Sequence, residues 1–361
     1  MKRRVLVARL DSAGDVLLAG PAVRAVAGGR GRGSGRTGGC DVVLLCGPHG
    51  TAAGALLPGV SEQYTWRCPW IIDPAPPATA GLLAELDGFI RRARIDEAVI
   101  LTSFHQSPLP LALLLRLAGV QQITGASTDY PGSLLDIRLK PGEDLAEDQP
   151  ESERALAIAA AAGYDLPPDD DGRLRVKGVP DASELVGRQP YVVVHPGAAV
   201  PARAWPALHH AAAVELLDGA GYRVIVTGGP SETALTATVA GVAALDLGGR
   251  TDLPMLAGVL AGASAVITGN TGPAHLAAAV GTPVVSLFSP VVPAVRWAPF
   301  GVPLELLGDQ NAPCRLSRAR ECPVPGHPCL SSVSPDEVTE AVARLLSGLA
   351  SLRTRREVKK R

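Results

Sequence analysis

Two short stretches of this 361-residue chain carry side chains whose types and spacing suit chemistry. The first is Ile267-Thr268-Gly269-Asn270-Thr271-Gly272-Pro273-Ala274-His275-Leu276, running on to Gly281-Thr282-Pro283. An apolar run, a turn of small residues and a Pro-initiated helix together make a helix start whose N–H groups can meet an anion. Asn270 and Thr271 are expected at the cap, and Gly272 lets a phosphate approach the backbone. His275, one turn into the helix, reaches the same phosphate. An ordinary strand-to-helix turn is the alternative. The second stretch is Arg9-Leu10-Asp11-Ser12-Ala13-Gly14-Asp15. Asp15, in a Gly turn at the end of an apolar strand, is either a general base or the cap of a helix beginning near Val16.

The elements that must position these residues alternate. Residues 5–10 read as a buried strand, followed by an apolar helical stretch over 16–26 in which Pro21 demands a kink or a restart. Strands are expected at 42–46, 98–101 and 123–125, with helices at 82–93 and 109–117. Residues 28–39, rich in Gly and Arg, read as a flexible surface loop. Between 140 and 190 the chain turns polar, interrupted by a helix at 152–162. The run Asp169-Asp170-Asp171 there reads as solvated.

A second half then repeats the pattern. A strand at 191–194 leads into His195-Pro196-Gly197, a helix covers 207–220, and a strand at 223–227 ends at Gly228-Gly229-Pro230-Ser231-Glu232. Thr251-Asp252-Leu253-Pro254 is a capped helix start. A strand at 265–268, a helix at 274–280 and a strand at 284–288 follow. Beyond Pro290 the chain reads as irregular until a last helix at 335–350. The expected class is α/β, with two doubly wound parallel sheets whose strand ends face a cleft. The expected division is 1–178, 179–335, and a C-terminal helix and tail, 336–361.

A hydrophobic share of 47% with 19% charged residues marks a globular chain, and a net charge of −1 argues against a nucleic-acid binder. The basic residues 353–361 read as a solvated tail, with weak attraction to an anionic membrane surface as the minor alternative. No apolar run reaches the roughly 18–20 residues of a membrane span. Arg9 and Asp11 interrupt any signal-like core, so a cytoplasmic protein with mostly reduced cysteines is expected. Cys314, Cys322, His327 and Cys329 lack the tight spacing of zinc ligands, and packing is the favoured reading over a metal site. No Gly-x-Gly-x-x-Gly turn follows the first strand of either half, which disfavours a hydride-transfer dehydrogenase.

Taken together, the stretch Arg9 to Asp15 with Pro21-Ala22, the pair His195-Pro196-Gly197 and Trp205-Pro206, the turn Gly229-Pro230-Ser231-Glu232 and the stretch Gly269 to Ala279 resemble glycosyltransferase family 9, the ADP-heptose heptosyltransferases and their relatives. The segment with Cys314, Cys322, His327 and Cys329 resembles one seen in many members. The resemblance implies a GT-B fold, an acceptor-binding N-terminal half and a C-terminal half holding the nucleotide sugar. It implies an inverting transfer to a glycan or small-molecule acceptor, with an ADP-linked donor and no obligate metal or other cofactor. Asp15 would be the base, and Thr271, Gly272 and His275 would meet the diphosphate. Glu232 occupies the slot of a ribose reader, or is simply a first-turn acid, and Thr251 falls near the donor's nucleobase.

Three positions depart from the family pattern. Asn270 stands where members commonly carry Asp, so any charge role is lost there. Arg203 stands where Lys is usual, and is either a diphosphate ligand or a plain surface arginine. Asp11, where a small polar residue is common, reads as a turn residue with Ser12 and Gly14. A sugar-nucleotide epimerase of GT-B-like fold and a catalytically silent nucleotide-sugar binder are the rival readings.

Overall fold

The computed structural model describes residues 2–29 and 38–358, and side-chain surroundings through residue 349. Most of the loop expected at 28–39 and the side chains of the basic tail lie outside this range. The chain divides into two compact units, residues 1–177 and 178–361.

In the first unit β1 (Arg4–Arg9) leads through α1 (Ala13–Leu18) and α2 (Gly20–Gly28) to β2 (Asp41–Cys46), α3 (Thr51–Leu56) and β3 (Val60–Thr65). Then come α4 (Ala80–Ala93), β4 (Glu97–Ile100), α5 (Leu109–Leu117), β5 (Gln122–Ala126), β6 (Ile137–Leu139) and α6 (Glu151–Ala161). The strands pair in parallel in the order β3-β2-β1-β4-β5-β6. After their first residues β1 and β2 are buried throughout, the pattern of strands covered by helices on both faces. Leu6, Ala8, Val43, Leu45 and Ile100 pack with Leu86 and Ile90 of α4 and Leu111 and Leu115 of α5. Each such Leu or Ile contributes about 1.5–3 kcal/mol on full burial.

Two expectations are corrected here. The helix after β1 starts at Ala13, not near Val16, because Ser12 is the N-cap; the chain restarts as α2 with Pro21 in its first turn. Pro is tolerated there because a first-turn N–H has no intrahelical partner. Asp170 is not solvated. Its carboxylate accepts from Arg24 Nε at 2.6 Å and Nη2 at 2.9 Å, and Arg24 also donates to the Arg173 carbonyl. This buried ion pair fastens the polar segment after α6 to α2.

In the second unit α7 (Ser183–Val186) precedes β7 (Val192–His195), α8 (Ala207–Gly219), β8 (Val224–Val226), α9 (Thr233–Ala240), β9 (Ala244–Asp246) and α10 (Leu253–Gly262). There follow β10 (Ala265–Gly269), α11 (Gly272–Ala279), β11 (Val284–Leu287), α12 (Ala294–Trp297), β12 (Leu304–Leu307), α13 (Pro328–Ser331) and α14 (Pro335–Val358). The sheet order is β12-β11-β10-β7-β8-β9, again parallel. Counted from each unit's first strand, both sheets run 3-2-1-4-5-6, so the winding reverses between β1 and β4 and between β7 and β10. In open α/β sheets ligands bind at the strand C-termini beside that reversal. The segment beyond Pro290, expected to be irregular, supplies α12, the edge strand β12 and α13.

Candidate active site

In the first unit the turn after β1 and the loop after β4 meet at the reversal point. Ser12, in extended conformation, caps α1. The Asp15 N–H donates to Ser12 Oγ at 3.4 Å, and the Asp15 carboxylate accepts from the Ser12 hydroxyl at 2.7 Å and the Ser12 N–H at 3.4 Å. Asp15 is thus the third helical residue of a capping box, and its second oxygen accepts from Arg9 Nη2 at 2.8 Å. Gly14 is buried in the first turn.

Arg9 is itself buried. Its Nε lies 3.0 Å from Asp11, and its Nη1 lies 3.8 Å from Glu151 on α6. Burial alone would pull this guanidinium down, but Asp11, Asp15 and Glu151 outweigh it and it stays charged. Burial pushes the Asp11 carboxyl up from its ordinary value, with Arg9 opposing and Asp15 adding to the rise. Ser103 and Gln106, from the loop after β4, donate to Asp11. Asp11 is therefore a largely buried member of an ion network, its side chain 11% exposed, as well as a turn residue. Sequence reasoning missed Gln106, Glu151 and Arg154. Their only signals are a polar pair just past a strand end and charges at the start of an apolar helix.

In the second unit the predicted residues follow the C-terminal ends of four neighbouring strands. After β10, Thr271 is the N-cap of α11 by backbone conformation, yet its side chain makes no capping bond; its hydroxyl lies 3.4 Å from that of Thr268. Capping by the Asn270 and Thr271 side chains is thus corrected. Pro273 brings no N–H to this helix start, so side chains must supply part of what an anion would need. Asn270 is only 5% exposed, and neither atom of its amide has a hydrogen-bond partner. His275 is buried in the first turn of α11.

After β7 comes the 3₁₀ turn Pro201–Arg203. A methyl built on Gly269 would meet the Arg203 carbonyl at 3.3 Å, which sets this turn against the start of the Asn270 turn. His195, at the end of β7, pairs through Nδ1 with the Thr227 hydroxyl at 3.0 Å. Burial pushes its ring down to about 4, with Glu232 opposing, so it is neutral at pH 7. His210 on α8 is buried edge-on to Trp205 at 4.7 Å. Burial, with His195 and His209 adding to it, takes its ring down to about 3.

After β8, the Glu232 carboxylate accepts from the Gly229 N–H at 2.7 Å and lies against Gly197. The loop after β9 hydrogen-bonds to this turn through the Gly249 N–H and the Gly228 carbonyl at 2.9 Å, and it carries Thr251 to the N-cap residue Asp252 of α10. Arg203, Glu232, Thr251, Asn270, Thr271, Gly272 and His275 therefore all follow strand C-termini on one edge of the sheet. That edge offers the neutral imidazole of His195, the His275 ring, an orphan amide and a carboxylate, a set suited to a ligand with hydroxyls and phosphates. Cys314 and Cys329 lie in the hydrophobic core of this unit, while the half-buried Cys322 donates to the Val324 carbonyl.

The two sheets and their strand orders define a GT-B fold. Residues 105–327 match the model of glycosyltransferase family 9 (heptosyltransferase), well over half of the chain, and the chain belongs to that family. It is 31% identical over 117 residues to lipooligosaccharide heptosyltransferase 2 of Haemophilus influenzae, covering 30% of this chain and 34% of that one. It is 30% identical over 226 residues to lipopolysaccharide heptosyltransferase 2 of Escherichia coli K12, covering 56% and 62%. These alignments thus span from about a third to three fifths of the relatives' lengths. In structure it resembles E. coli ADP-heptose LPS heptosyltransferase II, with a TM-score of 0.72, 20% identity, and 97% and 100% of the chains covered. It also resembles a family 9 glycosyl transferase of Veillonella parvula, with a TM-score of 0.74, 16% identity, and 96% and 98% covered. No helix among the described residues is long and apolar enough to cross a membrane.

Proposed function

We propose that the protein is an inverting, metal-independent glycosyltransferase of the cytoplasm. It moves a heptose or related sugar from ADP-heptose to a hydroxyl of a glycan or small-molecule acceptor. Asp15 takes the proton of the acceptor hydroxyl as its oxygen forms the new bond to the anomeric carbon. The bond from that carbon to the diphosphate breaks, and ADP leaves with the electron pair. Attack opposite the leaving group inverts the centre. Charge growing on the departing diphosphate is met by Arg203, the Thr271 hydroxyl, the Gly272 N–H and His275. Asn270 reads a donor hydroxyl or phosphate oxygen, Glu232 the ribose hydroxyls, and Thr251 packs near the adenine.

The observation that carries this reading is positional. In each unit candidate residues lie where the winding reverses, Asp15 beside β1 and β4, Asn270 and Arg203 beside β10 and β7, with Glu232 and Thr251 after the adjoining β8 and β9. Family membership supports the donor class, since a structurally similar protein, E. coli heptosyltransferase WaaC, has been solved with ADP-2-deoxy-2-fluoro heptose. The test is ADP release from ADP-heptose with a panel of acceptors, with and without a chelator. Transfer is expected to survive chelation. D15N is expected to lose about two to four orders of magnitude in rate while still binding ADP. Unchanged turnover in D15N would remove Asp15 from the role of base.

A further inference from the structure

The turn before α1 needs no buried acid at its second position, yet Asp11 is there and is held on several sides. Its carboxylate forms an ion pair with Arg9, 3.0 Å from Nε though not in hydrogen-bond geometry, and accepts from the Ser103 hydroxyl at 3.4 Å and the Gln106 amide. Through Nη2 the same guanidinium donates to Asp15 at 2.8 Å and to Ser103 Oγ at 2.9 Å. One buried cation therefore serves two neighbouring carboxylates and comes within 3.8 Å of a third, Glu151. Other charged or titratable groups beside the network, among the described residues, include Arg154 of α6, which pairs with Glu147, and the Cys68 thiol beyond β3, which the Asp11 charge influences.

A carboxylate alone on a buried guanidinium is strongly favoured as the anion and becomes a poor proton acceptor. A second carboxylate on the same cation relieves that by partial neutralisation and by like-charge repulsion. We propose that Asp11 is a positioning residue for the transfer: by occupying the Nε edge of Arg9 it divides that cation's charge and keeps Asp15 able to take up a proton. This rests on the reading of Asp15 as the base. Burial pushes the Asp11 carboxyl up, against Arg9, and the nearby Asp15 charge adds to that rise, so the two acids influence one another. A purely structural Asp11 would hold the turn and leave the proton affinity of Asp15 untouched.

The deciding measurement is the titration of the Asp15 side-chain carboxyl carbon by NMR in the full-length protein. In the wild type, its curve is expected to respond twice, once at its own midpoint and once at that of Asp11. In D11N and D11S the midpoint of Asp15 is expected to fall by about one unit, a tenfold loss of proton affinity. In an active enzyme the acid limb of kcat/KM shifts down with it. An unchanged midpoint in either folded variant overturns the proposal. If neither variant folds, a wild-type Asp15 curve with no response at the Asp11 midpoint overturns it instead. The titration needs no acceptor or donor, so its failure is separate from any failure of transfer in the D15N comparison.

Discussion

Glu232 Oε1 lies where a side chain on residue 197 would stand: a methyl built on Gly197 would come within 2.1 Å of it. The obstructing atom is the end of a flexible side chain, so the added methyl displaces the carboxylate and leaves the main chain in place. Gly197→Ala is therefore expected to weaken ADP binding about tenfold, the loss of a charge-assisted hydrogen bond. Stability should change by less than about 1 kcal/mol. Calorimetric titration with ADP, beside a thermal melt, checks both halves. A large loss of stability with unchanged affinity would put Gly197 in the fold and Glu232 outside the donor site.

The orphan amide of Asn270 predicts an unusual pairing of effects. Removing a buried polar group that has no partner relieves a desolvation penalty of about 1–3 kcal/mol. Asn270→Ala should thus leave the ligand-free protein as stable as the wild type or more so, while weakening ADP-heptose binding. Comparing melting points with and without donor separates the two. A destabilised ligand-free variant would show that the amide has a structural partner after all.

Two buried histidines make the second unit acid-sensitive. A ring whose folded pKa lies below its unfolded value of about 6.5 binds its proton better in the unfolded chain. Its contribution to stability is complete above pH 6.5 and is lost as the pH falls toward about 4 for His195 and about 3 for His210. Across that window this represents on the order of 3 kcal/mol for His195 and about 5 kcal/mol for His210. His210 Nδ1 has no hydrogen-bond partner. His210→Phe keeps a ring against Trp205 and is expected to flatten the fall in denaturant midpoint between pH 6.5 and 4. An unchanged slope would mean that His210 does not carry the effect.

The Arg24–Asp170 pair should matter to the first unit in another range. Hydrogen bonding from Arg24 holds the Asp170 carboxyl below its ordinary value of 3.8. A depressed carboxyl contributes stability above the unfolded value, and that is lost as the pH falls below about 4. Arg24→Ala leaves the Asp170 charge short of its bidentate partner and is expected to cost about 3 kcal/mol at pH 7. Asp170→Asn should cost less and remove the added acid sensitivity. Urea melts at pH 7 and pH 3 measure both.

What could be read from the sequence was what local chemistry determines. Asp252 does cap α10, with Pro254 in the first turn, and the buried strands β2, β7 and β10 follow their apolar runs. The strands that escaped, β3, β6, β9 and β12, are the four sheet edges and expose part of their length, so no long apolar run marks them. Ser12 escaped as a cap because the apolar helical pattern begins only at Val16. The ion network was out of reach for another reason. Arg9 and Glu151 lie in β1 and α6, and no local pattern announces such a pairing. Similarly, the run of acids at 169–171 looks solvated until Arg24 is seen beside it.

The shared strand order has an evolutionary consequence. Residues 1–177 and 178–361 each form a complete sheet with its own reversal point and its own loops there. With the roles proposed above, a new acceptor preference can arise by rewriting the loops after β1 and β4, while the loops of the other sheet, proposed to meet the diphosphate, are inherited unchanged. Such a protein can diversify its products one half at a time, as a tool does that keeps its handle and changes its bit.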